Sequence, residues 1–161
     1  MNPRLLILGL GNRMRGDDAI GLMLTAMLQT RPDVDLRLCE ETDALTLAHD
    51  LIEHDGPVLA VDCADMGIAA GEHRLFPATE ARLACKARGL STHGIGLADG
   101  LALAEALGRR GETWVFGVQP ADTDLRDGLS PALSHRLPAL AAALADAVRQ
   151  LTETTANDVT G

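Results

Sequence analysis

The chain is short of aromatic residues, positive charge, cysteine and long apolar runs, and each shortage removes a class of function. Among 161 residues there are no tyrosines, one tryptophan and two phenylalanines, too few to build the platforms on which single-stranded bases stack. Lysine and arginine number 14 against 23 aspartates and glutamates, a formal net charge of −9. That is the reverse of the clustered cationic surface a phosphate backbone requires, so no nucleic-acid partner is expected. Three cysteines, Cys39, Cys63 and Cys85, form no CxxC pair and leave one over. Reduced thiols in a cytoplasmic protein are the simplest reading. No stretch approaches the roughly 20 apolar residues of a membrane span. The N-terminal run is only six residues, Leu5–Leu10, and it leads straight into a polar loop, so it does not read as a signal peptide. No membrane partner is expected.

What is present is a core built from small and branched aliphatic residues: 47% of the chain is hydrophobic and only 2% aromatic. That composition suits helices packed on a parallel sheet better than a β-sandwich. The length allows one domain with a proper core and is too small for two ordinary ones. No repeat, linker or boundary interrupts residues 1–151, which are expected to form a single α/β domain. Residues 152–161, TETTANDVTG, are expected to be a disordered tail.

The most informative stretch is LLILGLGNRMRGDDAIGL, residues 5–22. Its apolar run has no alternation, as in a strand buried on both faces. Gly9 and Gly11 allow a sharp turn and a close backbone approach. Asp17 and Asp18 follow, and helical spacing restarts at Ile20, which places Asp18 at a helix N-cap. The expected unit is strand–loop–helix, with two carboxylates at the carboxyl end of the strand, the edge where open α/β sheets bind ligands.

Further along, Val34–Cys39 alternates, with Val34, Leu36 and Leu38 set against Asp33, Asp35 and Arg37, and reads as a strand with one face wetter, near an edge. A helix over Ala44–Glu53 and a buried strand Val58–Val61 ending at Asp62 follow. His73–Phe76 is a short possible strand, and residues 77–90, with Cys85, Lys86 and Arg88, are only weakly helical. Ser91–Gly94 is a pre-helix loop carrying His93, ahead of a periodic helix Ile95–Leu107. Thr113–Val118 is another buried strand. Ser130 with Pro131 opens a long helix. Strands and helices alternate, and right-handed crossovers bring the βα loops to one sheet edge. Asp18, Asp62 and the His93 loop are therefore expected at one cleft.

Two carboxylates and an imidazole could hold a zinc, nickel or related divalent ion with positions left open. His49, His54, His73 and His135 have no acid placed beside them and read as structural. Strand alternation turns Cys63 away from Asp62. No Gly-x-Ser-x-Gly elbow is present, so a nucleophilic cysteine or serine is not expected. Arg13 and Arg15 read as solvated loop charge.

The segments GLGNRMRGDDAIG, AVDCADMGIAAGEHRLF, STHGIGLADGLALAEAL, FGVQPAD and GLSP, in this order, resemble the [NiFe]-hydrogenase maturation endopeptidases over nearly the whole chain. The resemblance implies a phosphorylase/hydrolase-like three-layer α/β/α sandwich around a twisted, mostly parallel five-stranded sheet, with the strand near His73–Phe76 running against the others. It implies a monomeric, cytoplasmic peptidase that removes the C-terminal extension of the hydrogenase large-subunit precursor after nickel insertion. The family's nickel-contacting positions fall on Asp18, Asp62 and His93, which are also the candidate catalytic residues. The nickel is carried by the substrate, and cadmium or zinc could stand in for it. Whether one carboxylate acts as general base, attacks directly, or only holds the metal is left open. Where many members carry a Gly-Gly pair followed by Thr or Ser, this chain reads Cys39-Glu40-Glu41-Thr42, in a loop associated with choosing the precursor.

Other readings fit less well. A peptidyl-tRNA hydrolase shares the Gly-Leu-Gly-Asn opening but needs a histidine soon after it and a basic face. A dinucleotide-binding module needs a third glycine where Met14 stands. A nickel carrier without hydrolytic activity would use the same three ligands.

Overall fold

The computed structural model describes residues 4–80 and 92–160, with the side chains of residues 92–96, 159 and 160 outside that description. Five strands form one sheet: β1 (Leu5–Gly11), β2 (Val34–Glu40), β3 (Val58–Cys63), β4 (His73–Pro77) and β5 (Thr113–Val118). Their spatial order is β2-β1-β3-β5-β4. All neighbouring pairs are parallel except β4 with β5. Among the described residues the helices include α1 (Ile20–Met27), α2 (Ala44–Ile52), α3 (Thr92–Ala106) and α4 (Pro131–Thr160), and a 3₁₀ turn spans Gly16–Ala19.

Alternation along the central strands divides the core in two. Leu5 and Ile7 of β1, with Leu59 and Val61 of β3, pack under Ile20 and Leu24 of α1 and Leu133, Leu140 and Leu144 of α4. Leu6, Leu8 and Leu10, with Val58 and Ala60, pack under Leu47 and Leu51 of α2 and Leu101 and Ala104 of α3. Both faces of the sheet are covered, which is why β1 and β3 read as uninterrupted apolar runs. The expected layered α/β architecture is what the protein has, including the reversed strand at His73–Pro77.

Close backbone packing depends on two glycines. A Cβ on Gly21 would lie 2.2 Å from the Val61 carbonyl oxygen and 2.3 Å from that of Leu10, so α1 rests directly on the sheet. Gly11, at φ +147°, would place a Cβ 2.0 Å from the Asp18 carbonyl oxygen. The turn bearing the acidic pair is thereby folded back against the end of β1.

Four expectations are corrected. Asp18 does not cap a helix: it lies inside the 3₁₀ turn, and the N-cap of α1 is Ala19, with no side-chain bond. The turn is pinned by Gly16 and Asp17 to the loop before α4, so regular helix begins only at Ile20. Leu36 and Leu38 do not lie on a drier face; they are 37% and 44% exposed, because the helices on their face cover β1, β3 and β5 and reach only Val34 of β2. Thr92, His93 and Gly94 are already helical, not a pre-helix loop. Residues 152–160 are helical as well, not a disordered tail. There the hydroxyls of Thr152, Thr154 and Thr155 donate to carbonyls of the preceding turn, and Leu151 packs against the core. The weakly helical segment around Cys85, Lys86 and Arg88 lies outside the described residues. Among the described residues no helix is long and apolar enough to cross a membrane.

Candidate active site

At the carboxyl edge of the sheet, Asp18 and Asp62 line one pocket of about 290 Å³. Its walls come from the ends of β1 (Leu10, Gly11, Asn12) and β2 (Cys39, Glu41, Thr42), with Leu47 of α2 and Leu97 of α3 above. Asp62 reaches it because β3 alternates. Ala60 faces the α2/α3 layer, Val61 faces the other, and Asp62 returns to the first. Cys63, one residue on, packs with the α1/α4 layer, as the sequence predicts.

The two carboxylates are almost fully enclosed, Asp18 being 2% and Asp62 6% exposed. Burial pushes the Asp62 carboxyl up to about 8, the nearby Asp18 charge adds to this, and the Cys63 N–H, donating to Oδ1 at 2.8 Å, opposes it. A carboxyl held protonated near neutral pH can give up its proton to a base, and a cation arriving beside it favours its ionised form, the proton passing to solvent. Cys63 goes the same way for the same reasons: burial first, then the Asp62 and Asp18 charges, hold its thiol far above the range where thiolate forms. It is not an activated nucleophile.

Asp17, adjacent to Asp18, has a different role. It is 0% exposed, and its carboxylate accepts from Ala121 N–H at 2.8 Å, Asp122 N–H at 3.0 Å, Ser130 N–H at 2.7 Å and the Ser130 hydroxyl at 2.8 Å. Burial raises its pKa, but the donors from Ser130, Asp122 and Ala121 outweigh that and hold it below the usual carboxylate range. Two backbone bonds complete the clamp, Asp17 N–H to Asp122 O at 2.9 Å and Gly16 N–H to Arg126 O at 3.0 Å. Asp17 thus anchors the turn from which Asp18 projects. Gln119 does similar work beyond Asp62: its Oε1 accepts from Met66 N–H at 2.7 Å and its Nε2 donates to Asp65 Oδ1 at 3.1 Å, ordering the loop after β3. Sequence reasoning assigned neither role, and the motif FGVQPAD was the only signal for the second.

In the Cys39-Glu40-Glu41-Thr42 loop Glu41 has a φ of +53°, the only positive value for a non-glycine among the described residues. Such a conformation costs about 1–3 kcal/mol for a side-chain-bearing residue and persists where its surroundings impose it. Here Glu41 N–H donates to Gly11 O at 3.0 Å and Asn12 Nδ2 donates to the Glu41 carboxylate at 2.8 Å. The loops after β1 and β2 are thereby joined over the pocket. Arg13 is not simply solvated: it pairs with Glu40 at 3.5 Å.

His93 lies in the first turn of α3, and its side chain falls outside the described residues. Among those residues no group of three His, Cys, Asp or Glu side chains is placed to hold a metal ion. The remaining histidines give no sign of a site where they can be followed. His54 bonds the Arg4 carbonyl at 2.7 Å, and His73 stacks on Phe116 with centroids 5.0 Å apart.

A family model described as HycI, hydrogenase maturation protease, matches residues 42–147. Hydrogenase expression/formation protein HupM of Azotobacter chroococcum is 31% identical over 150 residues, covering 89% of this chain and 71% of that protein. The chain belongs to the hydrogenase maturation protease family. Among solved structures, the [NiFe] hydrogenase maturation protease HybD from Thermococcus kodakarensis superposes with a TM-score of 0.72 at 26% identity, covering 90% of this chain and 99% of that one. The hydrogenase maturating endopeptidase HybD from E. coli, at 24% identity and TM-score 0.78 over 91% and 93% of the two chains, shares the fold. As a member of this family the protein is a peptidase, and the carboxylate pocket is its candidate active site.

Proposed function

We propose that this maturation protease removes the C-terminal extension of a [NiFe]-hydrogenase large-subunit precursor after nickel insertion, and reads the substrate's nickel as its licence to cut. Asp18, Asp62 and His93 supply the ligands and the catalytic groups. The observation that carries this reading is the meeting of the buried Asp18 and Asp62, from two βα loops, in one pocket. His93 stands one helical turn before Leu97, itself a wall of that pocket. A cation arriving there offsets the mutual repulsion of two buried carboxylates and takes Asp62 to its ionised form. An ion already held by the precursor would tie the two proteins together and fix the scissile peptide against the carboxylates. Such positioning can supply up to about 7–11 kcal/mol in favourable intramolecular cases.

The test crosses apo and nickel-loaded precursor with chelated and untreated enzyme, following loss of mass at the precursor C-terminus. Only nickel-loaded precursor should be cut, whether or not the enzyme has been chelated. Efficient cutting of apo precursor, or a chelated enzyme rescued by zinc, refutes the nickel checkpoint. Asp18→Asn, Asp62→Asn and His93→Ala should each stop processing in a folded protein; full processing by any of them removes that residue from the site.

A further inference from the structure

The edge strand β2 has an uncovered side whose composition is unusual for an exposed edge. In its parallel pairing with β1, Leu5 N–H donates to Asp33 O and Glu41 N–H donates to Gly11 O. Odd-numbered residues of β2 therefore turn their backbone groups toward β1, and even-numbered ones turn theirs away. Leu36 and Leu38 thus combine outward-facing N–H and C=O groups with exposed apolar side chains on one face of the sheet. Soluble proteins usually blunt such an edge with charge, proline or a bulge. Here the charges lie on the opposite face, and they are spent locally: Arg37 pairs with Asp50 at 2.7 Å and Asp35 with Arg4 at 3.0 Å.

The same strand leads into the candidate active site. Cys39, Glu41 and Thr42 line the pocket that holds Asp18 and Asp62. From Leu38 to Glu41 is three residues, about 10 Å of extended chain. A peptide paired along the outer edge of β2 would reach the wall of the pocket formed by Cys39, Glu41 and Thr42, and would turn across the ends of β2 and β1 to meet the carboxylates. Peptidases and peptide-binding domains commonly take their ligands as an added strand, with the main chain giving affinity and alternate side chains giving selectivity.

We propose that β2 is the docking edge for the substrate: the extended segment of the precursor leading to its cleavage point adds as a sixth strand, with apolar side chains at alternate positions against Leu36 and Leu38. This rests on the protease reading given above. Continuity with the pocket favours a substrate segment over a second copy of this chain, which would gain nothing from ending there.

The test follows amide-resolved hydrogen exchange and cleavage kinetics with nickel-loaded large-subunit precursor. The Leu36 and Leu38 amides should gain at least tenfold protection on adding precursor. Leu38→Pro removes only an outward N–H, so the ladder to β1 is kept while an added strand is blocked. It should raise KM tenfold or more with kcat within twofold. Leu36→Lys carries the same expectation should the proline variant fold poorly by circular dichroism, and Leu107→Lys, distant on the surface, should change neither constant. Wild-type cleavage with unprotected amides, or with KM unchanged in both β2 variants, overturns the proposal. So does protection that appears in the enzyme alone together with a dimer in sedimentation, because a second copy would then be the occupant. A wild-type enzyme that binds the precursor and never cuts it refutes the protease reading instead; protection of the two amides in that complex would still support the docking edge, and its absence would overturn it.

Discussion

Replacing Asp62 with Asn should stabilise the metal-free protein, increasingly so as pH rises. In the folded chain the Asp62 carboxyl keeps its proton up to about 8, against an ordinary value of 3.8. Between those values the folded state binds one more proton than the unfolded state, so this group makes stability fall as pH rises. The slope is at most about 1.4 kcal/mol per pH unit, and the penalty is absent below the ordinary value and complete above the folded one. Multiplied over the window, the ceiling is about 5–6 kcal/mol. Water entering the pocket lowers the real penalty, and a gain of about 2–3 kcal/mol at pH 8 is expected for Asp62→Asn. In a domain of this size that is roughly 5–10 °C in Tm. Asn keeps the oxygen that accepts from Cys63 N–H and removes the charge. The assay is thermal or urea unfolding of both proteins in chelator between pH 5 and 8. The difference should widen steadily with pH, and adding Asp18→Asn to the wild type should move the window to lower pH, because the Asp18 charge is the second cause of the shift. Parallel stability curves for wild type and Asp62→Asn would refute the claim that burial and Asp18 hold this carboxyl protonated.

Asp17→Ala leaves three backbone N–H groups and a hydroxyl without their acceptor and should cost about 3 kcal/mol or more in urea unfolding. Precursor processing should fall with it, since the turn carrying Asp18 loses its anchor. Cys63→Ala should retain substantial cleavage, and thiol-directed reagents should not inhibit; complete loss of turnover in a folded Cys63→Ala protein would reinstate a cysteine mechanism. Gly21→Ala should destabilise by about 3 kcal/mol or more, because the new methyl meets two backbone carbonyls that cannot rotate away; an unchanged denaturation midpoint would contradict that packing.

The parts of this fold legible in the sequence were those where one physical demand acts alone. Leu5–Leu10 and Val58–Val61 could only be buried strands, and the alternation that opposes Asp62 to Cys63 followed from strand geometry. Where two demands compete, local pattern misled. Asp18 has the residue type and position of a helix cap, but the long-range bonds of Asp17 to residues 121–130 fix the turn first. Leu36 and Leu38 have the spacing of a buried face, yet burial depends on how far α1 and α4 extend over the sheet, which no local window contains. Residues 152–160 read as polar and β-branched, and their helicity comes from continuing a helix already nucleated at Ser130 and Pro131. The pairing of Asp18 with Asp62 was legible from topology; the clamps made by Asp17, Gln119 and Asn12 with Glu41 were not, since each joins segments distant in sequence.

The neighbouring positions of Asp62 and Cys63 also make the pocket a check on correct assembly. β3 is fixed between β1 and β5 by Ile7 opposite Leu59, and by Val61 opposite Phe116. A slip of β3 by one residue would present a thiol to the pocket and force the carboxylate against Phe116 and Val118. A misaligned chain would therefore lose a carboxylate from the pocket and bury an unpartnered polar group among hydrocarbon at the same step. The residue proposed for the chemistry is also the one that disfavours the misaligned sheet, so molecules that reach a stable fold carry a correctly assembled pocket.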